Sequence, residues 1–172
     1  LAPSTPLSME RKSLVQDTVV VIPLFKCFLE WARNSGEAQW WEELGFRQGK
    51  STTDLHIRQL HYYDHEDLLL YNSGIFADYW HRKFERDPDD GARTMFEQVK
   101  QVHGVDDLKE PEWASTIFKY WPNGSHKWRC GVNIVAAVPV VANGMRDGSR
   151  VHICGDAFST HQGWTMGCVE TA

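Results

Sequence analysis

The sequence predicts a mixed α and β fold. Two observations carry this. β-branched and aromatic runs such as 19–28 and 55–71 alternate with stretches of helical period such as 92–102, and no repeat or low-complexity segment interrupts the series. A length of 172 residues suits one domain or two small lobes. Residues 8–16 read as a short polar helix, and 19–28 as a strand in which Pro23, unable to donate to a ladder, marks an edge or a bulge. Trp40 to Leu44 form a helical turn closed by Gly45, and Ser51-Thr52-Thr53-Asp54 reads as a turn rich in capping residues. Residues 55–63 and 68–71, joined by the polar stretch 64–67, predict a hairpin. Residues 74–84 are amphipathic, with Ile75, Tyr79 and Phe84 near helical spacing. Asp87-Pro88-Asp89-Asp90 opens a further helix whose apolar stripe is Phe96, Val99 and Val102 and which Gly104 stops. Pro122-Asn123-Gly124, between the β-prone runs 115–120 and 127–132, predicts a tight turn. The apolar run 138–142 precedes two further turn signals, Asn143-Gly144 and Asp147-Gly148. Residues 151–154 read as a buried strand, followed by a loop and a helix that begins at Gly163.

Composition excludes several functions. Lys and Arg number 18 against 23 Asp and Glu, a net charge of −5, whereas phosphate recognition needs a clustered positive excess. No apolar run approaches the roughly 20 residues of a membrane span. Cys27, Cys130, Cys154 and Cys168 have no CxxC spacing, so neither a zinc ribbon nor a thioredoxin motif is present. His61 and His65 lie four apart, but on a hairpin that spacing carries them away from one another, and no metal is expected. Serine-hydrolase, zinc-protease and phosphate-loop motifs are absent. Eight tryptophans are many for this length, and tryptophan lines flat aromatic ligands as readily as it fills cores.

The most informative segment runs from Val151 to Thr165. It reads as strand, Gly155-Asp156, short loop, Gly163-Trp164, helix. Gly155 allows a ligand close to the backbone, and a carboxylate directly after a strand can accept from sugar hydroxyls. A helix opening near Gly163 would present free N–H groups to an anion or an electron-rich ring. Together these features point to a nucleotide-like cofactor. The chain's last ten residues read as a helix without a C-cap, so the 172 residues are expected to be one piece of a larger polypeptide.

Cys154-Gly155-Asp156 through Gly163-Trp164 resembles the C-terminal FAD signature of the flavin-containing amine oxidase family, in its L-amino-acid oxidase branch; Asp156 stands where the family usually has Glu. Two further stretches, in the right order, are similar to that branch: Thr5-Pro6-Leu7, and Gly49 to Leu55 followed by Tyr62-Tyr63. The family's dinucleotide fingerprint is not in this sequence. The resemblance therefore implies a C-terminal chain that works with an N-terminal chain of the same oxidase in an oligomer. It implies a returning FAD-domain strand at 1–12, a substrate domain with a mixed sheet and covering helices at 13–142, and the last strand and helix of a Rossmann-like FAD domain at 143–172. It implies FAD as cofactor, an amino acid and O2 as substrates, and hydrogen peroxide as product. Gly155 and Asp156 would meet the ribityl-pyrophosphate part of FAD, and Gly163, Trp164 and Thr165 the isoalloxazine ring. Trp164, Tyr71 and Gly163 would form the catalytic wall, with Tyr62 and Tyr71 on the substrate and either Tyr120 or Trp121 near the flavin. The rival readings are an amino-acid monooxygenase or amine oxidase on the same scaffold, and a non-catalytic flavoprotein-like subunit. Asn123-Gly124-Ser125 fits an N-glycosylation acceptor. With the expected processing it favours a secreted or extracytoplasmic location, although the compartment stays open.

Overall fold

A computed structural model describes residues 16–32, 37–63, 67–142 and 153–172. Helices and strands are both present, as the sequence predicts. Strand β1 (Val19–Glu30) is followed by helix α1 (Trp40–Glu43) and strands β2 (Gly49–Thr52), β3 (Gln59–Tyr62) and β4 (Asp67–Ser73). Helices α2 (Ile75–Arg86) and α3 (Pro88–His103), strand β5 (Ile117–Trp128) and helix α4 (Ile134–Ala142) come next, and helix α5 (Thr165–Glu170) follows a single 3-10 turn at Asp156–Phe158. The chain divides into two compact units, Pro23–Gly124 on one side and Leu1–Ile22 with Ser125–Ala172 on the other. These divisions fall inside β1 and β5.

The five strands form one sheet in the order β2-β3-β4-β1-β5. β1 pairs antiparallel with β4, Lys26 opposite Tyr71, and β3 pairs antiparallel with β2 and β4, Tyr62 opposite Gly49 and Leu68. Alternation along the strands sorts side chains onto two faces. Phe25, Cys27, Leu29, Leu60, Tyr62, Leu68 and Leu70 face α2 and α3 and join their Trp80, Phe84, Met95, Phe96 and Val99 in one buried core. Trp80 and Trp41 are fully buried there, and Trp80 Nε1 donates to the His56 carbonyl at 2.9 Å. Burial on this scale supplies about 25 cal/mol per Å² of apolar surface, the main stabilising term of the unit.

The caps explain where the helices begin and end. Asp87 accepts from the Asp90 N–H at 3.0 Å and Pro88 occupies the first turn of α3, while Gly104, at φ 65°, closes it. In α2 the buried stripe is Ala77, Trp80 and Phe84, with Tyr79 packed against it; of the stripe expected at Ile75, Tyr79 and Phe84, only Ile75, 75 % exposed, falls outside.

One turn expectation is shifted. Gly49–Thr52 is strand β2, because its β-branched and polar residues pair with β3; the turn lies at Thr53–Arg58, closed by Thr53 N–H donating to Arg58 O at 2.9 Å. The tight turn expected at Pro122-Asn123-Gly124 lies within the span of β5: a Cβ at Gly124 would come 2.9 Å from Trp121 Cβ, which puts Trp121 and Gly124 within turn range. That Cβ would also collide with Leu24 of β1. Glycine is needed there for close strand approach, not for a left-handed backbone. Of the strand expected at 151–154, Val151 and His152 lie outside the described residues, and Ile153 and Cys154 join no strand. The expected elements at 1–15, the stretch 64–66 and the turns at 143–148 also lie outside the described residues. Among the described residues no helix is long and apolar enough to cross a membrane.

Candidate functional site

The candidate residues fall into two groups, one in each unit. In the unit that holds residues 125–172, Gly155 (φ 141°) opens the 3-10 turn and Gly163 (φ 84°) ends the loop that leads to α5. Both conformations favour glycine. The loop between them is held by polar bonds. Asp156 Oδ2 accepts from the Gly163 N–H at 2.7 Å, Gly155 N–H donates to Thr171 Oγ1 at 2.8 Å, and Trp128 Nε1 donates to Ser159 O at 2.9 Å. Gln162 bridges in both directions, its oxygen accepting from Trp128 N–H at 3.0 Å and its amide donating to Ala157 O at 2.7 Å. Gly167 of α5 lets this loop close, since a Cβ there would strike Ser159.

Two features expected of this segment change. One oxygen of Asp156 is engaged inside the loop, so its carboxylate shapes the chain as well as facing any ligand. Helix α5 has only six residues and begins after Trp164, so it sums few peptide dipoles, and the anion-attracting N-terminus expected at Gly163 is weak. Gly163, Trp164 and Thr165 are all exposed, Trp164 by 72 %. The indole of Trp164 is therefore not used to fill the core of its own unit.

In the unit 23–124, Tyr62 and Tyr71 lie on opposite faces of the sheet. Tyr62 belongs to the core. Its hydroxyl lies 2.8 Å from Ser51 Oγ and 2.7 Å from His103 Nε2, and its ring stacks on Phe46 at 5.1 Å. His103 Nδ1 in turn lies 2.7 Å from the Val99 carbonyl. One pocket cannot take both tyrosines, and Tyr62 is 3 % exposed. Tyr71 is half-buried on the face turned away from α2 and α3, where burial raises its phenol and keeps the hydroxyl a donor.

Sequence reasoning missed the neighbours of Tyr71. Lys26, its cross-strand partner, holds Nζ 5.3 Å from the ring centroid, and the His61 ring lies 5.7 Å away. Burial lowers the pKa of His61, and the charges of Lys50 and Lys26 lower it further, so the imidazole is neutral near pH 7. The available signal was alternation along β1, which separates Lys26 from the buried Phe25 and Cys27; the register to Tyr71 was not contained in it.

Tyr120 and Trp121 are likewise separated by alternation. Tyr120 turns to the helices, donating to Asp78 Oδ1 at 2.7 Å and stacking on His81 at 3.8 Å; the bond to Asp78 raises its phenol pKa. Trp121 takes the other face and is 37 % exposed, which makes it the candidate on the same side as Tyr71. Two grooves of about 410 and 420 Å³ lie beside Phe84 and Phe118 on the helix side and include neither Tyr71 nor Lys26.

Chemically, the outward sheet face presents a cation, a phenol donor and a neutral imidazole, and the Gly163 segment presents an exposed indole beside a ligand-accessible backbone. No family model matches this chain.

Proposed function

We propose that this chain is the C-terminal part of an FAD-dependent L-amino-acid oxidase, which converts an amino acid to an imino acid and passes the electrons to O2. Hydrolysis of the imine then yields a 2-oxo acid and ammonia. The reading rests on the resemblance of residues 154–164 to the flavin signature. The single structural observation that supports it most is Trp164, exposed by 72 % directly after Gly163 at the end of a well-bonded loop. An indole left unpacked in its own unit is available to wall a flat ligand.

FAD, when bound, supplies the acceptor for the hydride from the substrate α-carbon. The residues of this chain do the rest. Gly155 and Gly163 let the cofactor approach the backbone. Trp164 covers one side of the substrate, and Trp121 supplies a further aromatic surface. Tyr71 donates to the substrate carboxylate, with the Lys26 cation alongside to favour negative charge. Tyr62 acts through the core, holding β3 against α3. Orientation of the α-carbon and exclusion of water are the protein's contribution to the rate.

The test is product analysis on the protein purified with every chain that accompanies it. A 2-oxo acid, ammonia and hydrogen peroxide formed from an L-amino acid are the expected result. An amide formed from the amino acid would establish a monooxygenase, and an aldehyde formed from a primary amine offered in parallel would establish an amine oxidase; the absence of any product across the amino acids would overturn the reading.

A further inference from the structure

The indole of Trp164 is not held by packing, so its direction depends on the backbone that carries it. That backbone is fastened at Trp164 itself, whose N–H donates to the His161 carbonyl at 3.2 Å. His161 is held by its own N–H to Ser159 Oγ and, through its neighbour Thr160, by α5. Thr160 N–H donates to Glu170 Oε2 at 2.8 Å, and Thr160 Oγ1 lies 2.8 and 2.9 Å from the two carboxylate oxygens of Glu170. His161 Nδ1 adds a longer contact to the same carboxylate at 3.4 Å. Glu170 sits at the end of α5, ten residues from Thr160, and its side chain is 28 % exposed against 56 % for His161. These bonds close the loop back onto the helix that Gly163 and Trp164 introduce.

We propose that Glu170 is a positioning residue that latches the Thr160–His161 bend to α5 and thereby fixes Gly163 and Trp164 in place. The functional meaning of the latch rests on the assignment of Gly163 and Trp164 made under the proposed function; the latch itself does not. Other bonds hold other points of the loop. Asp156 is engaged with Gly163 N–H at the far end of the loop, and Ser159 Oγ accepts from His161 N–H at 3.1 Å while donating to Asp156 O. Partial desolvation pulls the Glu170 carboxyl upward, but the bonds from Thr160 and His161 outweigh it and hold the group below its ordinary pKa, as an acceptor in use should be.

The experiment is amide hydrogen exchange on the full protein together with fluorine NMR of 5-fluorotryptophan, the Trp164 resonance being assigned with Trp164→Phe. In Glu170→Ala, protection is lost at Thr160 and Trp164 and the Trp164 fluorine signal shifts or broadens; Glu170→Gln, which keeps one acceptor oxygen, recovers part of both. Alanine is the best helix former, and Thr160→Val offers a second variant that removes only the hydroxyl bonds if the first fails to fold. Unchanged protection at Thr160, or lost protection with an unmoved fluorine signal, overturns the proposal. Neither readout requires flavin or turnover, so a colourless, inactive protein would reject the oxidase reading without touching the latch.

Discussion

Tyr62 and Tyr71 look interchangeable as letters, and their surroundings assign them different work. Tyr62 spends its hydroxyl on Ser51 and His103 inside the core. Removing it in Tyr62→Phe deprives two half-buried partners at about 0.5–1.5 kcal/mol per bond, so the expected outcome is a lower denaturation midpoint with unchanged substrate preference. Tyr71 faces outward beside Lys26. Under the proposed function, Tyr71→Phe removes a charge-assisted bond of about 1.5–3 kcal/mol, so KM for amino acids rises roughly ten- to hundred-fold while KM for the matching amines changes little. Equal changes for both substrate types would make Tyr71 a scaffold residue. His103 adds a pH dependence to the same core. Burial lowers its pKa below the ordinary 6.5, against a smaller opposing effect from the Val99 carbonyl. The unfolded chain therefore binds the proton first as pH falls. Stability is fully present above about 6.5 and is lost progressively as pH drops through the window down to the lowered folded value. Urea midpoints across that range check the sign, and in His103→Phe the slope should diminish; a slope unaffected by the substitution would contradict the assignment.

At the scale of elements, β5 combines a local signal with a distant one. Pro122-Asn123-Gly124 brings Trp121 and Gly124 within turn range, as its residue types favour. Gly124 also meets Leu24 of β1, a contact that no local signal contains. Gly124→Ala should therefore destabilise the protein by about 1–3 kcal/mol through overpacking, read as a loss in denaturation midpoint. A neutral or stabilising result would mean that β1 and β5 are not as close as described. The helices were more legible because their signals lie within each segment: Asp87, Pro88 and Gly104 bound α3, and nothing beyond the segment is required. The site was legible in the same proportion. Gly155, Asp156, Gly163 and Trp164 form one contiguous pattern. Lys26 and His61 join Tyr71 only through the register of three strands, which depends on long-range pairing that no short window of sequence contains.

Across the whole molecule, the candidate groups are distributed between two units: the glycine-bounded loop with Trp164 in one, and the outward face with Lys26, Tyr71 and Trp121 in the other. The oxidase reading explains why an acidic chain with no nucleotide fingerprint of its own exposes aromatic rings at Trp121 and Trp164. The central claim is that an amino acid bound by the protein reduces a flavin. The most direct measurement is the visible absorption spectrum of the protein, purified with its accompanying chains, before and after an L-amino acid is added without oxygen. The account predicts the yellow two-band spectrum of oxidised flavin, bleached by the amino acid and restored by air. A colourless protein, or a yellow one that no amino acid bleaches, would contradict it.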